Sequence, residues 1–173
     1  MTETVTRREQ IVTEARRILE RDGLDALTMR SLAEAMGIRA PSLYKHVRNR
    51  EEIELLLTEV AFEEFGQALA AAGPDLQGLA DAYREWAISN PGLYRIATGG
   101  PLNRDRLTAG AESDAEAPLL RALGDDRNLA RVCWSMAHGL VDLELNDRFP
   151  PGADLEAAWR AGVSALEVAA GQG

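Results

Sequence analysis

Between residues 28 and 50 the chain gathers side chains that donate hydrogen bonds or carry positive charge: Thr28, Arg30, Arg39, Ser42, Tyr44, Lys45, His46 and Arg50, with Ala40 and Pro41 set among them. Such a set suits the recognition of acceptors, because Arg and Lys meet phosphate or the O6 and N7 of guanine while hydroxyl, phenol and imidazole add further donors. Spacing sorts the group: Arg39, Ser42, Tyr44, Lys45 and His46 can point outward from a short helix on which Leu43 and Val47 point inward. Other chemistry has less support. His138 and Asp142 stand four apart on one helical face, which allows two metal ligands, yet no third lies at a useful spacing. Cys133, the sole cysteine, is five residues from His138 and projects to another side of the helix, so a Cys–His nucleophile pair is not formed, and Ser135 has no base partner in view. No catalytic residue, metal or cofactor is expected, and the chain is not expected to be an enzyme.

Two short helices meeting at a glycine turn would position the donors. Thr28 is placed to cap the first, Leu32, Ala33 and Met36 to line its inner face, and Gly37 to end it in the left-handed conformation. Ile38 plugs the turn, and Pro41 pre-sets the backbone of the next helix, expected from Pro41 to about Val47. Upstream, Thr6 and Glu9 have the spacing of a capping box for a first helix, whose apolar face is Ile11, Ala15, Ile18 and Leu19 and whose stop is Gly23. This is the geometry of a helix-turn-helix, small Ala33 permitting a close crossing.

The NREE run at 49–52 starts a long fourth helix, carried by Ile53, Leu56, Leu57, Val60 and Phe65 until AAAGPD at 70–75 breaks it. Periodicity then gives a helix over about 76–89, a bent Gly- and Pro-rich connection over 90–101, a short helix near 102–107, and an exposed loop over 110–118 leading into a helix around Leu119. Helices over 127–146 and 154–170 close the chain, separated by FPPG at 149–152. No alternating β-branched or aromatic run makes a strand. The expected fold is all-α, an N-terminal helix-turn-helix domain over residues 1–50 joined through the fourth helix to a C-terminal helical domain over residues 51–173.

Charge divides along the same line. The 173 residues carry a formal net charge of −9, which as an average argues against nucleic acid. Residues 1–50, however, hold ten Lys and Arg against seven Asp and Glu, whereas residues 51–173 hold nine against twenty-one. A basic head on an acidic body suits two different partners. No run approaches the roughly 18 apolar residues that span a membrane, and MTETVTRREQ lacks the apolar stretch of a signal peptide. With a single thiol as well, the expected location is cytoplasmic.

The segment LTMRSLAEAMGIRAPSLYKHVRNREEI, residues 27–53, resembles the helix-turn-helix of the TetR/AcrR family of repressors, with PSLYKHVRNREEI matching the third-helix signature nearly residue for residue. The likeness covers residues 8–66. It implies that Thr28, Tyr44, His46 and Arg50 hold phosphates, and that Arg30, Arg39, Ala40, Pro41, Ser42 and Lys45 lie nearest the base edges. Of these, Arg30 and Arg39 suit guanine O6 and N7. Further on, WSMAHG at 134–139 resembles the Trp-x-x-x-His-Gly (WHG) signature of one C-terminal subclass of that family. That match would put His138 near an effector cavity with Trp86, Tyr94 and Trp134 as aromatic walls. The same aromatics suit a plain core, with His138 a satisfied interior histidine, and the residues leave both open.

Helix 127–146 carries two apolar stripes: Leu129, Val132, Met136, Leu140 and Leu143, and, roughly opposite, Trp134, His138, Val141 and Leu145. One can be covered by its own domain and the other asks for a second chain, to which the last helix offers Leu155, Trp159, Val163 and Leu166. An isologous homodimer through the last two helices, packed as a four-helix bundle, is therefore expected. It would hold two recognition helices about one DNA turn apart, roughly 35 Å, over a palindromic operator in double-stranded DNA. The expected function is a sequence-specific repressor released by a small-molecule effector, with the fourth helix linking the two domains. Regulation by a protein partner or by abundance alone is the alternative, and an enzyme or non-DNA adaptor a third reading.

Overall fold

The computed structural model describes residues 5–171, which are helical with no strand among them. They divide into two compact units, one running to Ala61 and taking in Asn90–Ala109, the other made of Phe62–Ser89 and the chain from Gly110 onward.

The first unit starts with α1, Arg7–Asp22. Its orphan N-terminal groups are met by the expected capping box, Thr6 Oγ1 accepting from Glu9 N at 3.2 Å while Thr6 N donates to Glu9 Oε2 at 2.6 Å. Ile11, Ala15, Ile18 and Leu19 are buried, and Gly23 leaves the helix at φ 81°, a conformation glycine adopts without strain. A 3-10 turn at Leu24–Ala26 leads to α2, Met29–Ala35, α3, Ala40–Leu43, and the long α4, Arg50–Ala71, which continues beyond this unit. The turn between α2 and α3 has Gly37 at φ 65°. Leu27, Leu32, Leu43, Val47, Ile53 and Leu57 are all buried, each such burial contributing about 1.5–3 kcal/mol.

Residues 90–101 are more ordered than a bent connection. They include α6, Pro91–Thr98, whose first residue is a proline at the one place where a missing N–H costs a helix nothing. Its cap comes from 72 and 73 residues away in sequence: Gly92 N and Leu93 N donate to the two carboxylate oxygens of Glu20 on α1 at 2.7 and 2.9 Å. Arg16 Nη2 adds a bond to Asn90 Oδ1 at 2.7 Å. A Cβ on Gly92 would stand 2.9 Å from Glu20 Oε2 and 3.0 Å from Leu19 Cγ, so a side chain here would press on the residues that make this docking. A second 3-10 turn, Arg104–Arg106, stands where a short helix is expected.

The second unit holds the rest of α4 with α5, Leu76–Ser89, α7, Ala111–Ala122, α8, Arg127–Leu145, and α9, Leu155–Ala170. Residues 111–118, expected as an exposed loop, belong to α7. The Gly110 carbonyl accepts from Asp114 N at 2.8 Å and from Ser113 Oγ at 2.9 Å, while Glu112 and Asp114 favour the positive end of the helix dipole. Gly66 lets α7 approach α4 closely, since a Cβ there would lie 3.0 Å from the Ala115 Cα. Phe65 meets Tyr83 and Trp86 edge-on, with ring centroids 5.1 and 5.3 Å apart. Arg84 of α5 grips Glu144 of α8 with two bonds of 2.9 and 2.7 Å.

On α8 the buried positions are Ala130, Cys133, Ala137 and Val141. They form a narrow stripe of small residues that lies between the two stripes expected from sequence and takes in Val141 from the second of them. Small side chains let α5 and α9 pack close to α8. Burial pushes the Cys133 thiol above its ordinary pKa. Val132, Trp134 and Leu143 are left exposed on α8, as is Val168 on α9.

Candidate nucleic-acid interface

Leu43 anchors the candidate surface. Fully buried, it fixes a helix only four residues long, shorter than the span expected to Val47 because the chain tightens after Leu43. His46 N and Val47 N both donate to the Leu43 carbonyl, at 2.8 and 3.0 Å, and the buried Val47 pins the far end. Pro41 stands second in this helix, behind Ala40.

With Leu43 and Val47 turned inward, the residues between and before them face outward. Arg39, Pro41, Tyr44, Lys45 and His46 are exposed, Tyr44 to 54%, and Ala40 and Ser42 are half-buried beside them. The side chains of Arg39, Ser42, Tyr44, Lys45 and His46 make no hydrogen bond or ion pair with any other described residue. Here they are held on a pinned backbone with their donors directed at solvent.

The flanking candidates are already engaged. Thr28 caps α2 through a reciprocal box, its Oγ1 accepting from Ser31 N at 3.0 Å while Thr28 N donates to Ser31 Oγ at 2.9 Å. Arg30 Nε donates to Glu34 Oε1 at 2.8 Å. Arg50, expected to hold phosphate, directs Nε to Glu54 at 2.6 Å and Nη2 to the Leu24 carbonyl at 3.0 Å. Those bonds fasten the start of α4 to the 3-10 turn, leaving Nη1. Asn49 caps α4 by accepting from Glu52 N at 2.9 Å. Glu52 also holds Arg48 N at 2.7 Å and Arg8 Nη2 at 2.9 Å. The exposed Arg48 thus joins the basic edge next to His46, a residue the sequence reading passed over although it lies inside the quoted signature.

The four residues expected around an effector cavity take different places. Tyr94 is buried in the first unit, on α6. Trp86 packs within the second unit against Phe65. Trp134 is 49% exposed, one position past buried Cys133 and so rotated off the core face of α8, and it stacks on His138 with centroids 5.4 Å apart and planes 15° apart. Trp134 is therefore a surface residue of the single chain. A cleft of about 520 Å³ in the second unit is lined instead by residues of α5 and α9, among them Asp81, Arg84, Glu85, Trp159 and Arg160. Among the described residues no group of three His, Cys, Asp or Glu side chains could hold a metal ion, and no helix is long and apolar enough to cross a membrane.

Comparison with known proteins agrees with this geometry. Residues 11–55 match the model of bacterial regulatory proteins of the tetR family, and residues 76–166 match that of the tetracyclin repressor-like C-terminal domain. An HTH-type transcriptional regulator of Mycobacterium tuberculosis is 33% identical over 153 residues, covering 80% of this chain and 70% of that protein. Tetracycline repressor protein class D of Escherichia coli is 37% identical over 151 residues, 86% of this chain and 65% of the repressor, so the chain spans about two thirds of the relatives it resembles. Among solved structures, the regulatory protein SCO4313 superposes with a TM-score of 0.78 at 26% identity, over 92% of this chain and 94% of that one. An N-terminal helix-turn-helix with outward donors, an all-helical body and matches over both regions place this chain in the TetR family of transcription regulators.

Proposed function

We propose that the chain is a repressor that binds a palindromic operator as a homodimer and is released by a small-molecule effector. The observation that carries the DNA half is the unpartnered donor surface of α3 and its following turn. Phosphates supply the acceptors it lacks: Tyr44 and His46 hold the backbone, joined by Thr28 and the spare Nη1 of Arg50, while Arg39, Lys45 and Ser42 reach toward base edges beside Ala40 and Pro41. Arg30 reads guanine from α2.

Dimerisation is supported by exposed apolar residues of the last two helices, Val132 and Leu143 on one side of α8 and Val168 of α9, with Trp134 on the other side of α8. Trp159, Val163 and Leu166 of α9, expected to meet a second chain, are buried within their own unit. Side chains of this kind on adjacent helices favour a self-complementary cover. An isologous pair would hold two copies of α3 roughly 35 Å apart, one DNA turn. The sensing half is supported by the family and by the name of the class D tetracycline repressor, a 37% identical relative. An effector acts if it favours a conformation in which the two copies of α3 no longer fit both half-sites.

One observation favours a second reading, a DNA-binding regulator without a small-molecule ligand. Of the expected cavity walls, Trp134 lies at the surface of the second unit.

Titration of a labelled operator tests the DNA half. An Arg39→Ala, Tyr44→Ala double variant should lose at least about 100-fold in affinity, and unchanged binding would overturn the proposal in favour of an adaptor or enzyme. Challenging the wild-type complex with a panel of apolar and cationic compounds, tetracyclines included, separates the two readings: release supports sensing, whereas a complex that none of them dissociates favours the second.

A further inference from the structure

The ion pair on α2 joins two exposed residues, Arg30 at 87% and Glu34 at 65% side-chain exposure, through a 2.8 Å bond from Nε to Oε1. Its contribution to fold stability is small. Glu34 stands next to Ala35, the last residue of α2, where the negative end of the helix dipole disfavours a carboxylate. An Arg preceding a Glu at i,i+4 is also the weaker order of such a pair. On the basic side of a DNA-binding module, a carboxylate repels the phosphates the module must approach.

The pair does have a consequence for recognition. With Nε committed to Glu34, the guanidinium keeps Nη1 and Nη2, neither of which bonds to another described residue. Those two terminal nitrogens are the fork that spans guanine O6 and N7. A long side chain already tethered has given up much of its rotamer freedom before it meets a base, and less is lost on binding. We infer that Glu34 is a positioning residue that presents Arg30 to one base pair of each half-site, so that removing it relaxes sequence discrimination there. This deepens the proposed function and rests on its assignment of α2 to the DNA face.

The test uses the full chain on a selected operator, all its single-base variants and an unrelated duplex, with wild type, Glu34→Ala, Glu34→Gln and Arg30→Ala. Arg30→Ala should lose discrimination at one symmetric base position by on the order of tenfold. Glu34→Ala should lose it at the same position by about threefold, with affinity for the unrelated duplex unchanged or raised; Glu34→Gln, which keeps an acceptor for Nε, should retain most of it. Equal gains on every duplex for Glu34→Ala, with discrimination intact, would mean that the carboxylate only repels phosphate, and would overturn the inference. So would an Arg30→Ala variant with unaltered base preference. In both of those cases an operator still lost by the Arg39→Ala, Tyr44→Ala variant would leave the proposed function standing.

Discussion

The outer surfaces of α3 and α8 both lack partners within the chain, in opposite senses. Beyond Leu43, the α3 segment shows Arg39, Ser42, Tyr44, Lys45 and His46, whose side-chain donors meet no acceptor among the described residues. To either side of Ala130, Cys133, Ala137 and Val141, α8 shows Val132 and Leu143 on one flank and Trp134 on the other, apolar area with no cover in the single chain. Each deficit names its complement. Unmet donors on a rigid backbone suit an anion lattice such as a duplex, while uncovered apolar residues suit another apolar surface, which in the proposed dimer is a second copy. After position 50 the chain holds nine basic against twenty-one acidic residues, a balance that repels phosphate.

The sharpest way to break this contrast is to put charge on the apolar surface. A Val132→Asp, Val168→Asp variant should sediment as a monomer with unchanged helical content, and its operator affinity should fall by roughly 10²–10⁴ as two half-sites are no longer bound together. A variant that stays dimeric would place the interface elsewhere. Next in size is the anchor of the polar surface. Leu43→Ala removes a fully buried side chain and should cost about 2–5 kcal/mol in urea unfolding, affecting DNA binding only through the loss of a fixed α3. Glu20→Gln weakens the cap of α6 on α1 and should cost about 1 kcal/mol by the same measurement; an unshifted midpoint would mean that the Gly92 and Leu93 bonds contribute nothing net. The smallest effect is the most diagnostic of charge. Arg50→Gln, which removes the charged residue assigned to phosphate, should lower the slope of log affinity against log salt by about 0.9 per half-site, whereas Val132→Ala should leave the slope per bound half-site unchanged.

Much of the head is legible because its signals are local. The Thr6–Glu9 box, Thr28, Gly23 and Gly37 each do what their spacing implies. The body is less legible because its determinants are tertiary. α6 looks like a Gly- and Pro-rich connection until Glu20, more than seventy residues earlier in the chain, supplies its cap. α7 looks like an acidic loop with a proline, yet Pro118 sits buried inside the helix and Ala115 closes on Gly66. On α8 the larger apolar residues draw the eye, while close packing selects the smaller ones. The candidate site follows the same rule. Outward donors on α3 follow from the positions of Leu43 and Val47, but the bond from Arg50 to the Leu24 carbonyl depends on a turn 26 residues away and has no sequence signal.

Selection of duplexes bound by the full-length chain from a random pool probes readout and symmetry together. An inverted repeat should emerge, its half-sites one helical turn or a small multiple apart at roughly 35 Å per turn, with guanine favoured in each. An enriched site without two-fold symmetry, or no enrichment over the starting pool, would contradict a paired α3 as the reader of DNA.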